Sequence, residues 1–533
     1  MEDNWLRFSR YLFNNEELGL QLDISKVKFE EEYLSAMETK MQPIYKLIGE
    51  LERGEIFNPD ERRMVGHYWL RSPELAPSKK IAEEIYSTLQ TIKQFADQVH
   101  SGILRGEKGL QFKNVLVIGI GGSSLGPRFL SEAFKKPLQK LELFFIDNTD
   151  PDGMDRVLDN LKNELDQTLS IVISKSGGTI ETRNGMEETR IFYRQNGLEF
   201  TKHAVCITQA GSRLDLKRIE ENWLMAFPMW DWVGGRTSVL SAVGLLPLAL
   251  QGIDIDRLLT GARKCDELTR SSLTRDNPAA LLALMWYAVT EGRGGKEMVI
   301  LPYKDRLRLL TQYLQQLIME SLGKETDLDG SVIHHGISVF GNKGSTDQHS
   351  YLQQLLDGPD NFFVTFLEVL KDRDRASVKI AENSTSGDYL HAFLLGTRKA
   401  LTLKGRQSIT ITIREINEMT LGGLLALFER TVSIYALLIH INAYHQPAVE
   451  LGKKMADEVI VLKNGVIDFL HANKGNKYPI QLLAEKLGSE VDLETLFKIL
   501  QHLVNNPDSG IRQVKNKETS KDRPLEIFYQ ASE

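Results

Sequence analysis

A β-branched apolar run that ends abruptly in small hydroxyl residues and glycines constrains this chain more than any other feature. The run is Ser170-Ile171-Val172-Ile173-Ser174-Lys175-Ser176-Gly177-Gly178-Thr179. Its first part reads as a strand buried on both faces, because apolar residues follow one another without alternation. Ile180 to Tyr193 then carries a helical pattern, so the polar turn stands between a strand's end and a helix's start. The N–H groups in a helix's first turn have no intrahelical partner, and the dipole there favours negative charge by about 0.3–1 kcal/mol. Gly177 and Gly178 let backbone and ligand approach closely, and Ser174, Ser176 and Thr179 add hydroxyl donors. Taken alone, the turn suits either a phosphate cradle or a serine-rich helix cap.

A second such turn lies upstream. Val115-Leu116-Val117-Ile118 runs into Gly119-Ile120-Gly121-Gly122-Ser123-Ser124-Leu125-Gly126, with a helix expected from about Arg128. The spacing does not meet the dinucleotide fingerprint, and no acidic residue closes the next strand in a ribose-binding context. Glu142–Ile146 and His203–Thr208 read as further strands. Strands alternating with helices predict a parallel, doubly wound sheet, whose ligands bind beyond the carboxyl ends of the strands. Both Gly/Ser turns lie at that edge, which favours a phosphate site there. A second set follows: strands over Glu297–Pro302, Ser338–Phe340, Phe362–Glu368 and Ser408–Ile413, a helix over Leu307–Glu320, and a long apolar helix over Leu421–Tyr444. No sequence repeat relates the two sets.

The expected fold class is therefore α/β: two doubly wound, mostly parallel-sheet αβα domains, a helical N-terminal region and a small C-terminal α+β extension. The boundaries fall at 1–109, 110–290, 291–456 and 457–533. In the first segment, Phe29–Leu51 and Ser78–Val99 have helical periodicity and Pro59-Asp60-Glu61 reads as a helix start. His67, Tyr68, Trp69 and Arg71 are expected to serve packing.

Composition excludes several classes. The 533 residues carry a formal net charge of −7, unlike a dedicated nucleic-acid binder. Two cysteines, Cys206 and Cys265, form no disulfide framework and suit a reducing compartment. Met1-Glu2-Asp3-Asn4-Trp5 is not a secretory start, and the apolar window Val239–Ile253 is broken by Ser241, Gly244, Pro247 and Gln251. A cytoplasmic protein with no membrane partner is expected. No HExxH pattern or Cys/His zinc spacing occurs. His334-His335 is the only adjacent histidine pair, and neighbours on a strand face opposite sides. Neither metal nor cofactor is expected.

Other stretches could carry chemistry. In Gly234-Gly235-Arg236-Thr237 a guanidinium emerges beside tight backbone, where it can bind an oxyanion at two points or form a surface ion pair. Gln316-Leu317-Ile318-Met319-Glu320-Ser321-Leu322-Gly323-Lys324 places a carboxylate in a helix's last turn, with Gly323 as a stop. A glutamate there opposes the dipole, which improves it as a proton acceptor. Gly341 to His349 is a polar loop ending in histidine, and Gln446-Pro447-Ala448-Val449-Glu450-Leu451-Gly452-Lys453 follows the long helix.

Together these motifs, in this order, resemble the glucose-6-phosphate isomerase (phosphoglucose isomerase) family: Gly-Ile-Gly-Gly-Ser at 119–123, Ser-Lys-Ser-Gly-Gly-Thr at 174–179, Gly-Gly-Arg at 234–236, Met-Glu-Ser-x-Gly-Lys at 319–324, Gly-x(3)-Gln-His at 344–349 and Gln-x(6)-Lys at 446–453. The similarity covers about Asn58 to Met455; Thr237 and Leu322 stand where an aromatic residue and an asparagine are common. The resemblance implies two sugar-isomerase-type domains and a metal-free interconversion of glucose 6-phosphate and fructose 6-phosphate through a cis-enediol. It implies that Glu320 moves the proton between C2 and C1, that His349 and Lys453 help open the ring, and that Arg236 stabilises the enediolate. Gly122, Ser123, Ser174, Lys175, Ser176 and Thr179 would receive the phosphate, and Gln316 and Gln446 would orient sugar hydroxyls. A homodimer is implied, with the histidine serving the other subunit's site. Two rival functions are a dual-specificity isomerase that also takes mannose 6-phosphate and a non-catalytic sugar-phosphate sensor.

Beyond the last motif, Pro479–Lys486 and Leu493–Val504 read as short helices and Ile511–Gln530 as a hairpin, an order that resembles a winged helix. Its basic residues are matched by acidic ones, so a packing or dimer-supporting module is expected rather than a DNA reader.

Overall fold

The computed structural model describes residues 2–137, 139–488, 491–515 and 527–532. They form two compact units, Met1–His445 and Gln446–Glu533.

The first unit is built on two sheets. One has five parallel strands, in spatial order Glu142–Ile146, Asn114–Ile118, Thr168–Ile173, Ala204–Thr208, Met225–Pro228. Numbered along the chain, that order is 2-1-3-4-5. The other sheet contains four parallel strands, Val339–Phe340, Glu297–Pro302, Phe362–Val369 and Ser408–Ile413, again in the order 2-1-3-4. The shared order is a structural repeat that the sequence does not display.

Period-two packing explains why the strands read as unbroken apolar runs. Val115, Val117, Ile171 and Ile173 face a core shared with Met298, Ile300, Phe363, Ile409 and Ile411 of the other sheet. Leu116, Ile118, Val172 and Cys206 face a second core with the helices outside the first sheet. Val299, Leu301, Val364 and Phe366 do the same for the second sheet. The helices Ala242–Gln251, Ile255–Thr269, Pro278–Thr290 and Glu418–Leu438 contribute to the shared core. Glu418–Leu438 is long and apolar enough to cross a membrane by length and composition, but 89% of its most apolar 18-residue window is buried inside the protein.

The N-terminal expectation needs correction. Tyr33–Glu52 and Lys79–His100 are helices, the latter capped by the Ser78 hydroxyl. Leu12–Asn15 and Leu20–Lys26, however, form a hairpin that pairs antiparallel with Ser408–Ile413 and extends the second sheet. Leu20, Leu22 and Ile24 are buried in the shared core, an alternation that suits a strand. Nor does Pro59 start a helix: it opens a turn between the paired segments Ile56–Asn58 and Arg63–Met64, closed by Arg62 with φ of 52°. Trp69 and Tyr68 do pack, but Arg71 belongs to an ionic cluster whose centre is fully buried. It binds Asp266 at 2.7 and 2.8 Å and also Glu429, while Arg430 binds Asp266 at 2.8 Å and Glu52 as well.

In the second unit, Pro447–Ala472 is followed by the helices Ile480–Leu487 and Leu493–Asn505. A small antiparallel sheet orders Tyr478–Pro479, Ile527–Ala531 and Ile511–Lys515. The unit has its own core of Val466, Leu470, Leu483, Leu496, Leu500 and Tyr529, among others. The two short helices fall where the sequence placed them; the middle of the expected hairpin lies outside the described residues.

Candidate active site

The strand order of the first sheet reverses between Asn114–Ile118 and Thr168–Ile173. A crevice opens at such a point because the helices after the two strands lie on opposite faces. The two Gly/Ser turns, 119–124 and 174–179, sit at the carboxyl ends of those strands. Neither following helix is capped by its own side chain. The Ser124 hydroxyl donates to Asp147 at 3.1 Å and the Ser174 hydroxyl to that of Thr179 at 3.1 Å. By contrast, Ser78, Ser212, Ser241, Asp254, Asn277, Thr385 and Asn417 do cap their helices. Helix ends that keep their N–H groups for another acceptor are what an anion cradle needs.

The cradle is tied down internally. The Gly177 N–H donates to the Ser174 hydroxyl and the Gly178 N–H to the Ser176 hydroxyl, each at 3.1 Å. Thr208 donates to the Ser174 carbonyl at 2.6 Å. Gly177 has φ of +67°, and a Cβ there would collide with the backbone of Leu214. Lys175 does not point its ammonium into the turn. It donates to the carbonyls of Asp231 at 3.0 Å and Val233 at 3.2 Å, and so fastens the cradle to the segment before Arg236. Burial, with Arg63 nearby, lowers its pKa despite Asp231.

Arg236, 6% exposed, sits in a short 3-10 turn beginning at Gly235. Its guanidinium donates to the carbonyls of Ala443 at 2.6 Å and His445 at 3.1 Å and stands 3.2 Å from the Glu320 carboxylate. Burial lowers the Arg236 pKa, against the pull of Glu320. The expected helix over Leu307–Glu320 is not uniform. A 3-10 turn at Asp305–Leu307 and α-helix over Leu310–Leu314 give way to a wider π-wound segment, Gln315–Glu320. One extra residue per turn changes the direction of every following side chain, and such windings recur at functional sites. Gln316 is placed so that a Cβ on Gly121 would lie 3.2 Å from its amide nitrogen. The second set of elements thus delivers Gln316 to the first Gly/Ser turn and Glu320 to Arg236.

His349 is exposed at the end of the turn Thr346–His349. That turn is fastened by Asp347, which accepts from the Asn342 N–H at 2.7 Å and from Tyr351. Gln446 and Lys453 belong to the second unit, at the cap and in the second turn of Pro447–Ala472. His335 is buried and bonds the Leu322 carbonyl and the Tyr435 hydroxyl at 3.3 and 3.2 Å, which is a packing role. Sequence reasoning gave no part to Lys324, whose ammonium meets the carbonyls of Glu320 and His445. Its one signal was its place in the glutamate motif.

A strand-end anion cradle facing a carboxylate–guanidinium pair defines a class: an α/β acid–base enzyme for a small phosphorylated substrate. The model of the family described as phosphoglucose isomerase matches residues 23–403 and 395–468, and the chain belongs to that family. It is 59% identical over 526 residues to the glucose-6-phosphate isomerase of Desulfitobacterium hafniense strain Y51, covering 99% of this chain and 98% of that one. With the glucose-6-phosphate isomerase of Geobacter sp. strain M21 it shares 54% identity over 514 residues, 96% of this chain and 97% of the other. The crystal structure of a glucose-6-phosphate isomerase from Chlamydia trachomatis superposes with a TM-score of 0.78 at 26% identity, over 86% of this chain and 91% of that one.

Proposed function

We infer that this chain is a glucose-6-phosphate isomerase, an aldose–ketose isomerase that interconverts glucose 6-phosphate and fructose 6-phosphate. One observation carries the reading: the Glu320 carboxylate and the Arg236 guanidinium stand 3.2 Å apart, on different segments of the chain, beside the turns that form the cradle. Glu320 is the base that carries the proton between C2 and C1, a role typically worth about 10²–10⁴-fold. Arg236 is fixed in advance by the Ala443 and His445 carbonyls, so its charge need not reorganise as the cis-enediolate forms. Gly122, Ser123, Ser174, Ser176 and Thr179 receive the phosphate, Lys175 braces the cradle, and Gln316 orients a hydroxyl. Binding energy at the phosphate aligns the reacting carbons.

His349 and Lys453 open the sugar ring. The exposure of His349 supports its delivery to a second subunit, hence a homodimer. Gln446 contributes beside Lys453. The segments 1–109, 110–290, 291–456 and 457–533 divide the chain by sequence, and the last serves as a packing module rather than a nucleic-acid reader. The work is cytoplasmic, in glycolysis and gluconeogenesis.

The test is a coupled assay of glucose 6-phosphate formed from fructose 6-phosphate. The Glu320→Gln variant should lose 10²–10⁴-fold in kcat, roughly, while the inhibition constant of a phosphorylated sugar acid stays within a few fold. An inactive wild-type chain that still binds the inhibitor would favour the sensor instead. Turnover of mannose 6-phosphate in a parallel assay would make it dual-specific.

A further inference from the structure

The Lys324 side chain enters the site from behind the catalytic pair. It is 7% exposed, and its ammonium donates to the Glu320 main-chain carbonyl at 2.8 Å and to the His445 carbonyl at 3.1 Å. The His445 carbonyl also receives the Arg236 guanidinium, which faces the Glu320 carboxylate. Four residues therefore close a circuit: Lys324 to Glu320, Glu320 to Arg236, Arg236 to His445, and His445 back to Lys324.

Such a circuit has a physical purpose here. The last carbonyls of a helix lack amide partners, and a cation at that end satisfies them and complements the dipole. Glu320 ends a π-wound segment, and Lys324 takes up its carbonyl. The strand Lys324–Thr326, paired with Val332–His335, fixes the main chain from which the lysine reaches back. Because Arg236 shares the His445 acceptor, any shift of that carbonyl moves both the base and the group that stabilises the enediolate.

We propose that Lys324 is a positioning residue of the isomerase reaction, one that locks the Glu320 main chain and the Arg236 guanidinium to a common carbonyl, that of His445. The proposal rests on the isomerase reading. Two cations, Lys324 and Arg236, and two carboxylates, Glu320 and Asp60, act on one another at this corner. Burial and Arg236 draw the Lys324 ammonium down to about 7, against Glu320 and Asp60. His445 is the other titratable neighbour; burial and Lys324 lower its pKa, against Asp60. A neutral amine retains two N–H donors, so the circuit outlasts the charge, and loss of the proton changes the field on Glu320 rather than its position.

The experiment compares the full-length wild type with Lys324→Met and Lys324→Arg in the coupled assay from pH 6 to 9, with inhibition by inorganic phosphate and thermal unfolding alongside. Lys324→Met should lower kcat about 10–100-fold, as misplaced catalytic groups do, with KM and phosphate inhibition within about threefold and unfolding little changed. Lys324→Arg, which keeps donors and cannot lose its charge, should restore kcat to within about threefold of the wild type and remove any change in kcat/KM that the wild type gives near pH 7. A wild-type kcat for the Met variant, or a Met variant whose kcat, KM and unfolding temperature all fall without rescue by arginine, overturns the proposal. Should the Met variant fail to fold, Lys324→Gln, uncharged and too short to span both carbonyls, takes its place: a lowered kcat with KM unchanged supports the proposal, and a wild-type kcat overturns it. A wild type with no isomerase activity defeats the functional reading instead, so the two failures are distinguishable.

Discussion

Gly122 lies directly against Gly235: a Cβ on the first would collide with the carbonyl oxygen of the second. The contact joins the first Gly/Ser turn to the turn that carries Arg236. This backbone contact is one of the constraints that set the distance between the cradle and the guanidinium. Gly122→Ala must push the 234–236 turn away, and with it Arg236. Since a displacement of about 1 Å in a positioned group can cost 10²-fold, kcat should fall about 10–100-fold. Overpacking should also cost about 1–3 kcal/mol of stability. Steady-state kinetics with a thermal melt would test this, and an alanine variant of normal kcat would show that the turn yields without moving Arg236.

Lys175 supplies a second brace between the same regions. The Lys175→Met substitution keeps the stem and removes the bonds to the Asp231 and Val233 carbonyls. Hydrogen bonds to charged groups contribute about 1.5–3 kcal/mol, so the loosened segment should lower kcat roughly tenfold or more. KM should rise as well, because the cradle loses an anchor and a nearby charge. A rise in KM with unchanged kcat would mean that the ammonium serves only the phosphate, and that its bonds to the carbonyls are incidental.

Both braces show where sequence reading succeeds and where it stops. The strands flanking each sheet's switch point were legible because burial on both faces writes them as unbroken apolar runs. The turns were legible because glycine and serine stand out against such runs. The hairpin at Leu12–Lys26 left a signal, Leu20, Leu22 and Ile24 alternating with Gln21, Asp23 and Ser25, but its partner strand lies almost 400 residues away. The π winding at Gln315–Glu320 left none, since one wide turn hardly alters an apolar pattern. Lys175 and Lys324 both end on main-chain carbonyls, and carbonyls have no sequence code. Glu429-Arg430 was a signal of another kind: an adjacent charged pair inside a long apolar helix requires buried partners.

Those partners support the last prediction. Arg71, Asp266, Glu429 and Arg430 are all fully buried, with Glu52 and Arg270 extending the cluster toward the surface. Removing one member leaves a buried charge without compensation, which costs about 3–5 kcal/mol, so Asp266→Asn should lower the urea midpoint sharply at pH 7. The pH dependence has a definite sign. Burial alone would raise the Asp266 carboxyl, but Arg430 and Arg71 outweigh it and hold it far below the usual carboxylate range. A group depressed in this way stabilises the fold above its unfolded pKa of about 3.9, and that contribution is lost as pH falls through the folded value. Glu52, where Arg430 and Arg270 likewise outweigh burial, has the same sign. Glu429 has the opposite one: burial raises it despite Arg71, so its contribution is present at low pH and lost as pH rises through its folded value. The gap in urea midpoint between wild type and Asp266→Asn should therefore stay constant from pH 7 to about 4 and begin to close only below it. A wild-type advantage that grows as pH falls from 7 to about 4 would mean that Asp266 keeps its proton in the native protein, and that the two arginines are balanced by Glu429 and Glu52 instead.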